Sequence, residues 1–212
     1  MQHSAPVSKP PWRGALAFAI AFVLWTVAAQ AWSEHFGALQ FDRARYAAGA
    51  PWLLLTAQWV HLGALHAALN GAMLVLIVLA LQGWVPLRMQ CAALLGGYAG
   101  VAITIALDSQ CLYYAGASGA LHGLWAGSAV YLLAKDRMAR LGSGVWLGAA
   151  MLLAMLFKLG WQAWAGAHTS LLGAVQGLHP LGSMASYFPA HVGGALGGGV
   201  VVLVARVFLP RG

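Results

Sequence analysis

The chain has 212 residues, of which 61% are hydrophobic and only 7% charged, with a mean hydropathy of +0.77. A soluble domain carries about 25% charged residues, so this is the composition of an integral membrane protein; a disordered chain, a disulfide scaffold and a DNA-binding module are excluded together by apolar runs this long with two cysteines and 27 glycines. The formal charge of +7, from eleven Lys and Arg against four Asp and Glu, must first be tested against the bias of basic residues toward cytoplasmic loops.

A span needs about 20 apolar residues to cross a roughly 30 Å hydrocarbon core. Stretches of that kind run over 14–32, 52–81, 89–107, 117–134, 145–165 and 189–209, which predicts an all-α membrane protein of six transmembrane helices. One membrane domain over 14–209 is expected, with tails at 1–13 and 210–212. The second stretch is longer than a span, and its helix is expected to begin near Trp59. Lys9, Arg13 and Ala29-Gln30-Ala31 also resemble a cleavable secretory leader, but the apolar run is long for one. The connectors carry charge and turn residues at Ser33 to Pro51, Gln82 to Arg88 and Lys135 to Gly144, whereas Gly166 to Pro189 holds no charged residue.

Taking alternate sides, Lys9, Arg13, Arg88, Lys135, Arg137, Arg140, Arg206 and Arg211 fall together, and Arg43 and Arg45 fall opposite. Both termini are therefore expected in the cytoplasm. The positive charge is topology signal dispersed over several loops, and no nucleic-acid partner is expected. Cys91 and Cys111 are predicted at opposite ends of the third helix, too far apart to pair. No repeat of helix pairs is evident, which weakens a transporter built from inverted repeats.

Polar groups inside lipid face the bundle interior and mark function. Here they are His61, His66, Asn70, Ser118, His122, Lys158 and His191. Glu34, Asp42, Asp108 and Asp136 all fall in connectors or at span ends, so no carboxylate is available to orient a buried histidine, and a Ser-His pair is expected in place of a triad. Ser118, in Gly116-Ala117-Ser118-Gly119, begins the fourth helix beside free backbone N–H groups. Two roles stand open for it, a nucleophile next to an oxyanion site or a helix cap.

Gly119, Gly123 and Gly127 recur every four residues, and Gly193/Gly197 and Gly194/Gly198 repeat that spacing after His191. Close packing of these faces would bring Ser118 and His191 to one depth, where a nucleophile and its base could meet. His66 and Asn70, four apart, share a face and can donate to an oxyanion or glue helices, while His61, five before His66, is turned about 140° away on a helix. A metal site from His61, His66 and His122 or His191 has poor spacing, and no cofactor is expected. His122, four after Ser118, can stack on His191 or simply pack. Lys158 is expected to snorkel toward the non-cytoplasmic interface near Trp161 and Trp164.

His61-x4-His66-x3-Asn70, Gly116-x-Ser118-Gly119 and Ala190-His191 with trailing glycines, in this order on separate spans, resemble the rhomboid family of intramembrane serine proteases. The resemblance covers about residues 15 to 209. It implies a Ser118 nucleophile, a His191 base, and oxyanion donors from His66, Asn70 and the Ser118 backbone, with cleavage of single-span substrates near the outer membrane face. Phe41-Asp42-Arg43 before Leu53-Leu54-Leu55-Thr56, the Gly116 to Leu124 run, Lys158-Leu159-x-Trp161-Gln162 and the compact chain look more like rhombosortase. That branch implies a substrate with a C-terminal Gly-Gly motif, a transmembrane helix and a basic tail, processed at the periplasmic side of a bacterial inner membrane. His122 stands where many rhomboids carry tyrosine, and Pro51-Trp52-Leu53 where a Trp-Arg pair is common, so first-loop anchoring is not carried over. A polar cavity lined by His61, His66, Asn70 and His191 is expected, gated by the fifth helix or by Gly166 to Pro189. The rival readings are an ordinary rhomboid protease, an inactive rhomboid-like protein that binds membrane helices, and a metal or proton transporter using the histidines.

Overall fold

The computed structural model describes residues 12–31, 36–135, 142–167 and 187–208. In chain order these form α1 (Trp12–Ala31), α2 (Phe36–Leu39), β1 (Phe41–Asp42), α3 (Arg43–Ala47), α4 (Leu53–Thr56), α5 (Ala64–Ala80), α6 (Leu87–Leu107), β2 (Tyr113–Tyr114), α7 (Ser118–Lys135), α8 (Ser143–Ala167) and α9 (Phe188–Phe208). Among the described residues three segments, Leu87–Leu107, Ser143–Trp164 and Phe188–Arg206, are long and apolar enough to cross a membrane, and Trp12–Ala28 and Ala64–Ala80 are shorter apolar helices. The expectations for the tails, for Arg137 and Arg140, and for most of the Gly166 to Pro189 connector lie outside the described residues.

Five of the six long helices lie within two residues of the expected apolar stretches. The second does not. Leu53–Thr56 makes one short helical turn, the chain then turns through Trp59, and α5 begins only at Ala64. Tertiary hydrogen bonds hold this departure in place: the buried Gln58 side chain donates to the carbonyls of Leu54 and Tyr98 at 2.9 and 3.0 Å, and Ala57 O accepts the N–H of Gly116 at 2.9 Å. An apolar run seen in sequence cannot register bonds to residues forty or more positions away.

The helices α6, α7 and α9 form the centre, each packed on the other two, with α8 against α7 and α1 against α5. Glycine makes this possible. A Cβ at Gly194 would sit 1.9 Å from the carbonyl oxygen of Gly119, and one at Gly198 would sit 2.1 Å from that of Gly123. The other repeat serves a different neighbour: at Gly193 a Cβ would meet Thr104 Oγ1 at 1.8 Å, and at Gly197 the Gly96 carbonyl at 2.2 Å. Adjacent positions are about 100° apart around a helix, so the two staggered repeats on α9 face α7 and α6 separately. Gly96 and Gly100 of α6 complete the second face, whereas Gly97 faces Ala120 and Gly123 of α7.

The first connector is anchored by Arg43. Its guanidinium donates to the carbonyls of Ala106 at 3.1 Å, Cys111 at 3.2 Å and Asp108 at 2.6 Å, and to that of Ile105, thereby capping the C-terminal end of α6. Phe41 and Tyr46 flank it at 4.9 and 5.6 Å from their ring centroids, and Phe41 pairs with Tyr114 in the β1–β2 bridge. The anchor therefore exists, carried by Arg43 and not by the Pro51 region. We expect Arg43→Lys to lose about 2 kcal/mol or more, measured as a lower melting temperature in detergent, because one ammonium cannot serve a fork of four carbonyls.

A second tie joins α6 to the start of α9. The Tyr187 hydroxyl donates to Asp108 Oδ2, and the Gln110 N–H donates to Oδ1 at 2.9 Å. The Tyr187 bond first, then that of Gln110, hold the Asp108 carboxyl below its ordinary value of 3.8 against the opposing effect of burial, with a lesser contribution from the Arg43 charge. A depressed carboxylate contributes stability that is present above its unfolded value and disappears as pH falls through the folded one. Melting temperature measured from pH 6 to pH 2 should therefore drop less steeply at the acid end in Tyr187→Phe than in the wild type.

Candidate active site

Ser118 is the first residue of α7, and its hydroxyl lies across the bundle within hydrogen-bond distance of Nε2 of His191 on α9, at 3.0 Å. His191 is 3% exposed. Gly194 and Gly198 lie one and two turns beyond His191, and the residues they meet, Gly119 and Gly123, lie one and five residues beyond Ser118, so these contacts set the depth at which the two side chains meet. The hydroxyl is thus engaged with another helix and not only with the start of its own.

The loop ahead of Ser118 is held rigidly. Gly116 has φ +126, and a Cβ there would lie 2.6 Å from Cε1 of His66, so both the backbone conformation and the His66 ring require glycine. Its carbonyl accepts from the Tyr114 hydroxyl at 2.9 Å. Ala117 N–H points to Nε2 of His61 at a long 3.5 Å.

His66 and Asn70 stand one turn apart on α5, and both line a cavity that also reaches Ser118 and His191. Asn70 is 6% exposed, yet among the described residues its Nδ2 has no hydrogen-bond partner, and neither does Nδ1 of His66. A buried donor left unpaired is costly, about 1–3 kcal/mol, unless something else accepts its hydrogen. An oxyanion formed at Ser118 is such an acceptor.

Two expected members of the site sit elsewhere. His61 is not on α5 and does not line the cavity; it is buried behind His66, ring edge to ring face at 5.1 Å. The 140° separation expected for one helix does not apply because α5 starts three residues after His61. Gly119 is a packing residue, since a Cβ there would meet Val101 at 2.5 Å and the Ala190 carbonyl at 2.8 Å.

His122 stacks on His191, with centroids 4.1 Å apart and planes 14° from parallel, and its Nδ1–H donates to the Ser118 carbonyl at 2.7 Å. Lys158 does not snorkel: its Nζ donates to Nε2 of His122 at 2.8 Å. Gln162, one turn further along α8, places Oε1 3.0 Å from Nδ1 of His191. Gln162 was not among the residues singled out for chemistry, although its spacing of four from Lys158 put both on one face of an otherwise apolar helix. Among the described residues no three or more His, Cys, Asp or Glu side chains gather as a metal-ligand set.

The cavity has a volume of about 840 Å³. Its polar end is formed by His66, Asn70, Ser118, His122, Gln162 and His191, but most of its wall is apolar, from Leu69, Met73, Ile77, Leu121, Trp125 and Met155. The expectation of a polar cavity thus holds for one end only. An extended apolar wall between α5 and α8 suits a hydrophobic helix or lipid chain better than a water-filled channel.

Fold and site together define a helical membrane protein with a partly buried serine–histidine pair beside a largely apolar cavity. Residues 48–208 match the family model described as Rhomboid domain, and the chain belongs to the rhomboid family. No curated protein and no solved structure matches it. Members of the family are intramembrane serine proteases that act on transmembrane substrates in a lipid bilayer.

Proposed function

We propose that this protein is an intramembrane serine protease of the rhombosortase type, which removes the C-terminal transmembrane anchor of secreted proteins bearing a Gly-Gly tail. The observation that carries the protease reading is the 3.0 Å contact of Ser118 Oγ with His191 Nε2, at the polar end of a cavity containing the unpaired Asn70 donor. In this reading Ser118 Oγ attacks the scissile carbonyl carbon as its proton passes to Nε2 of His191. The oxyanion takes hydrogen bonds from Asn70 Nδ2, His66 and the Ser118 N–H at the start of α7. Collapse breaks the peptide C–N bond, His191 protonates the leaving amine, and water then hydrolyses the acyl-enzyme by the reverse proton path.

The rhombosortase assignment rests on the Gly116 to Leu124 run with histidine at 122, and on the Lys158 to Gln162 segment. The substrate helix would lie along the apolar wall between α5 and α8. Six crossings are supported by the six apolar stretches, both ends in the cytoplasm by the distribution of basic residues, and a site toward the periplasm of a bacterial inner membrane by the rhombosortase resemblance.

The test coexpresses the protein with a reporter carrying a Gly-Gly motif, a transmembrane helix and a basic tail, and in parallel with a generic single-span rhomboid substrate. Cleavage of the first alone, abolished in Ser118→Ala and His191→Ala, is expected. Cleavage of the generic substrate as well would make this an ordinary rhomboid protease. Processing of neither would move the helix-binding reading ahead of proteolysis.

A further inference from the structure

Two polar side chains of α8 reach the site although α8 carries neither member of the catalytic pair. Lys158 and Gln162 are four residues apart and so lie one above the other on the same face. The neighbouring apolar side chains Leu156, Phe157 and Trp161 point outward and are largely exposed. Lys158 ends on His122 and Gln162 on His191, and those two rings are stacked on each other.

We propose that Gln162 is a positioning residue for His191, assisted by Lys158 acting on His122, so that the Ser118–His191 pair is competent only while α8 is docked on α7 and α9. This inference rests on the serine protease reading above. A neutral imidazole carries one N–H, and His191 can take the Ser118 proton only if Nε2 holds the lone pair. The hydrogen must then be on Nδ1, where Gln162 Oε1, an acceptor, receives it at 3.0 Å.

When His191 takes the serine proton at Nε2 it becomes a cation, and its Nδ1–H bond to Gln162 becomes charge-assisted and stronger. The amide therefore favours the charged ring over the neutral one, the task a carboxylate performs in a triad, without placing an anion in the bundle. The second ring is fixed by the same logic. The Ser118 carbonyl only accepts, so the His122 hydrogen is on Nδ1, and Nε2 is left to accept from the Lys158 ammonium. His122 is thereby locked as a flat platform under His191, its ring unable to rotate without losing both bonds.

The experiment uses the full chain reconstituted in liposomes, with cleavage of the Gly-Gly reporter giving kcat and KM and a fluorophosphonate probe reporting the reactivity of Ser118 directly. In Gln162→Met, which keeps the shape and removes the acceptor, we expect kcat and the labelling rate to fall together by about tenfold to a hundredfold, with KM within about a factor of two. Gln162→Glu, which restores an acceptor, should recover most of the loss, and Lys158→Met should slow labelling by a smaller factor.

Wild-type rates in Gln162→Met would overturn the inference, as would equal losses in Gln162→Glu and Gln162→Met. If Gln162→Met does not fold, the ¹⁵N shifts of the wild-type His191 ring decide instead: Nδ1 protonated and Nε2 bare supports the assignment, and the opposite tautomer overturns it. Labelling of Ser118→Ala at the wild-type rate is the distinct outcome in which the serine chemistry itself fails.

Discussion

Ser118→Ala and His191→Ala are each expected to lower cleavage of the Gly-Gly reporter by a factor on the order of 10⁴ or more, in Ser118→Ala with little change in melting temperature. The loss is large because the two groups act as one unit: the hydroxyl is a poor nucleophile until Nε2, 3.0 Å away, removes its proton. For the same reason the double variant should be scarcely worse than either single one. Stability should survive Ser118→Ala, which removes a single hydroxyl while α7 keeps its first turn through the Leu121 N–H bond to the Ala117 carbonyl, whereas His191→Ala also removes a buried ring stacked on His122 and should lower the melting temperature. Steady-state cleavage in liposomes, with circular dichroism melting of the same samples, checks both halves. Equal loss of melting temperature and activity in Ser118→Ala would mean that the pair is a packing contact.

Gly194→Val is expected to remove activity as completely, by a different route. Position 194 touches no reacting atom, but a Cβ there would lie 1.9 Å from the Gly119 carbonyl oxygen, 2.6 Å from its carbon and 3.3 Å from its Cα. All three are backbone atoms, so no side chain can swing away, and α9 must move off α7. Overpacking of this kind typically costs about 1–3 kcal/mol and more when backbone must shift; we place this case at or above the upper end. Because His191 is one turn earlier on α9, any such displacement also lengthens its contact with Ser118. A melting temperature lowered by several degrees together with lost fluorophosphonate labelling is the expected result. Gly160→Ala is the control: nothing lies within 4 Å of a Cβ there, and neither measurement should change.

Much of the site could be read from residue spacing. Ser118 and His191 were legible because a membrane span holds few polar side chains, and the matching intervals of four among the glycines implied that α7 and α9 meet at backbone distance. His66 and Asn70 were legible as a shared helix face. Hydrophobicity alone places the helix start near Trp59, whereas α5 begins at Ala64: Gln58 and Ala57 make hydrogen bonds to Tyr98 and Gly116 that delay the helix and leave His61 behind His66. Lys158 was misjudged for a related reason, since snorkelling is what a lone lysine does, and only the fold shows that His122 lies within its reach.

The amino-acid sequence by itself determined the solvent of this protein, its helical class, the few side chains able to do chemistry, and the glycine surfaces that let helices touch, because composition and periodicity are properties of the chain alone. Tertiary structure decided which neighbour each glycine face meets, where α5 begins, and that Gln162 and Lys158 join the two stacked histidines. Those outcomes depend on contacts between residues 29 to 73 positions apart, and no local pattern encodes which of two acceptable partners a polar group will find once the helices pack.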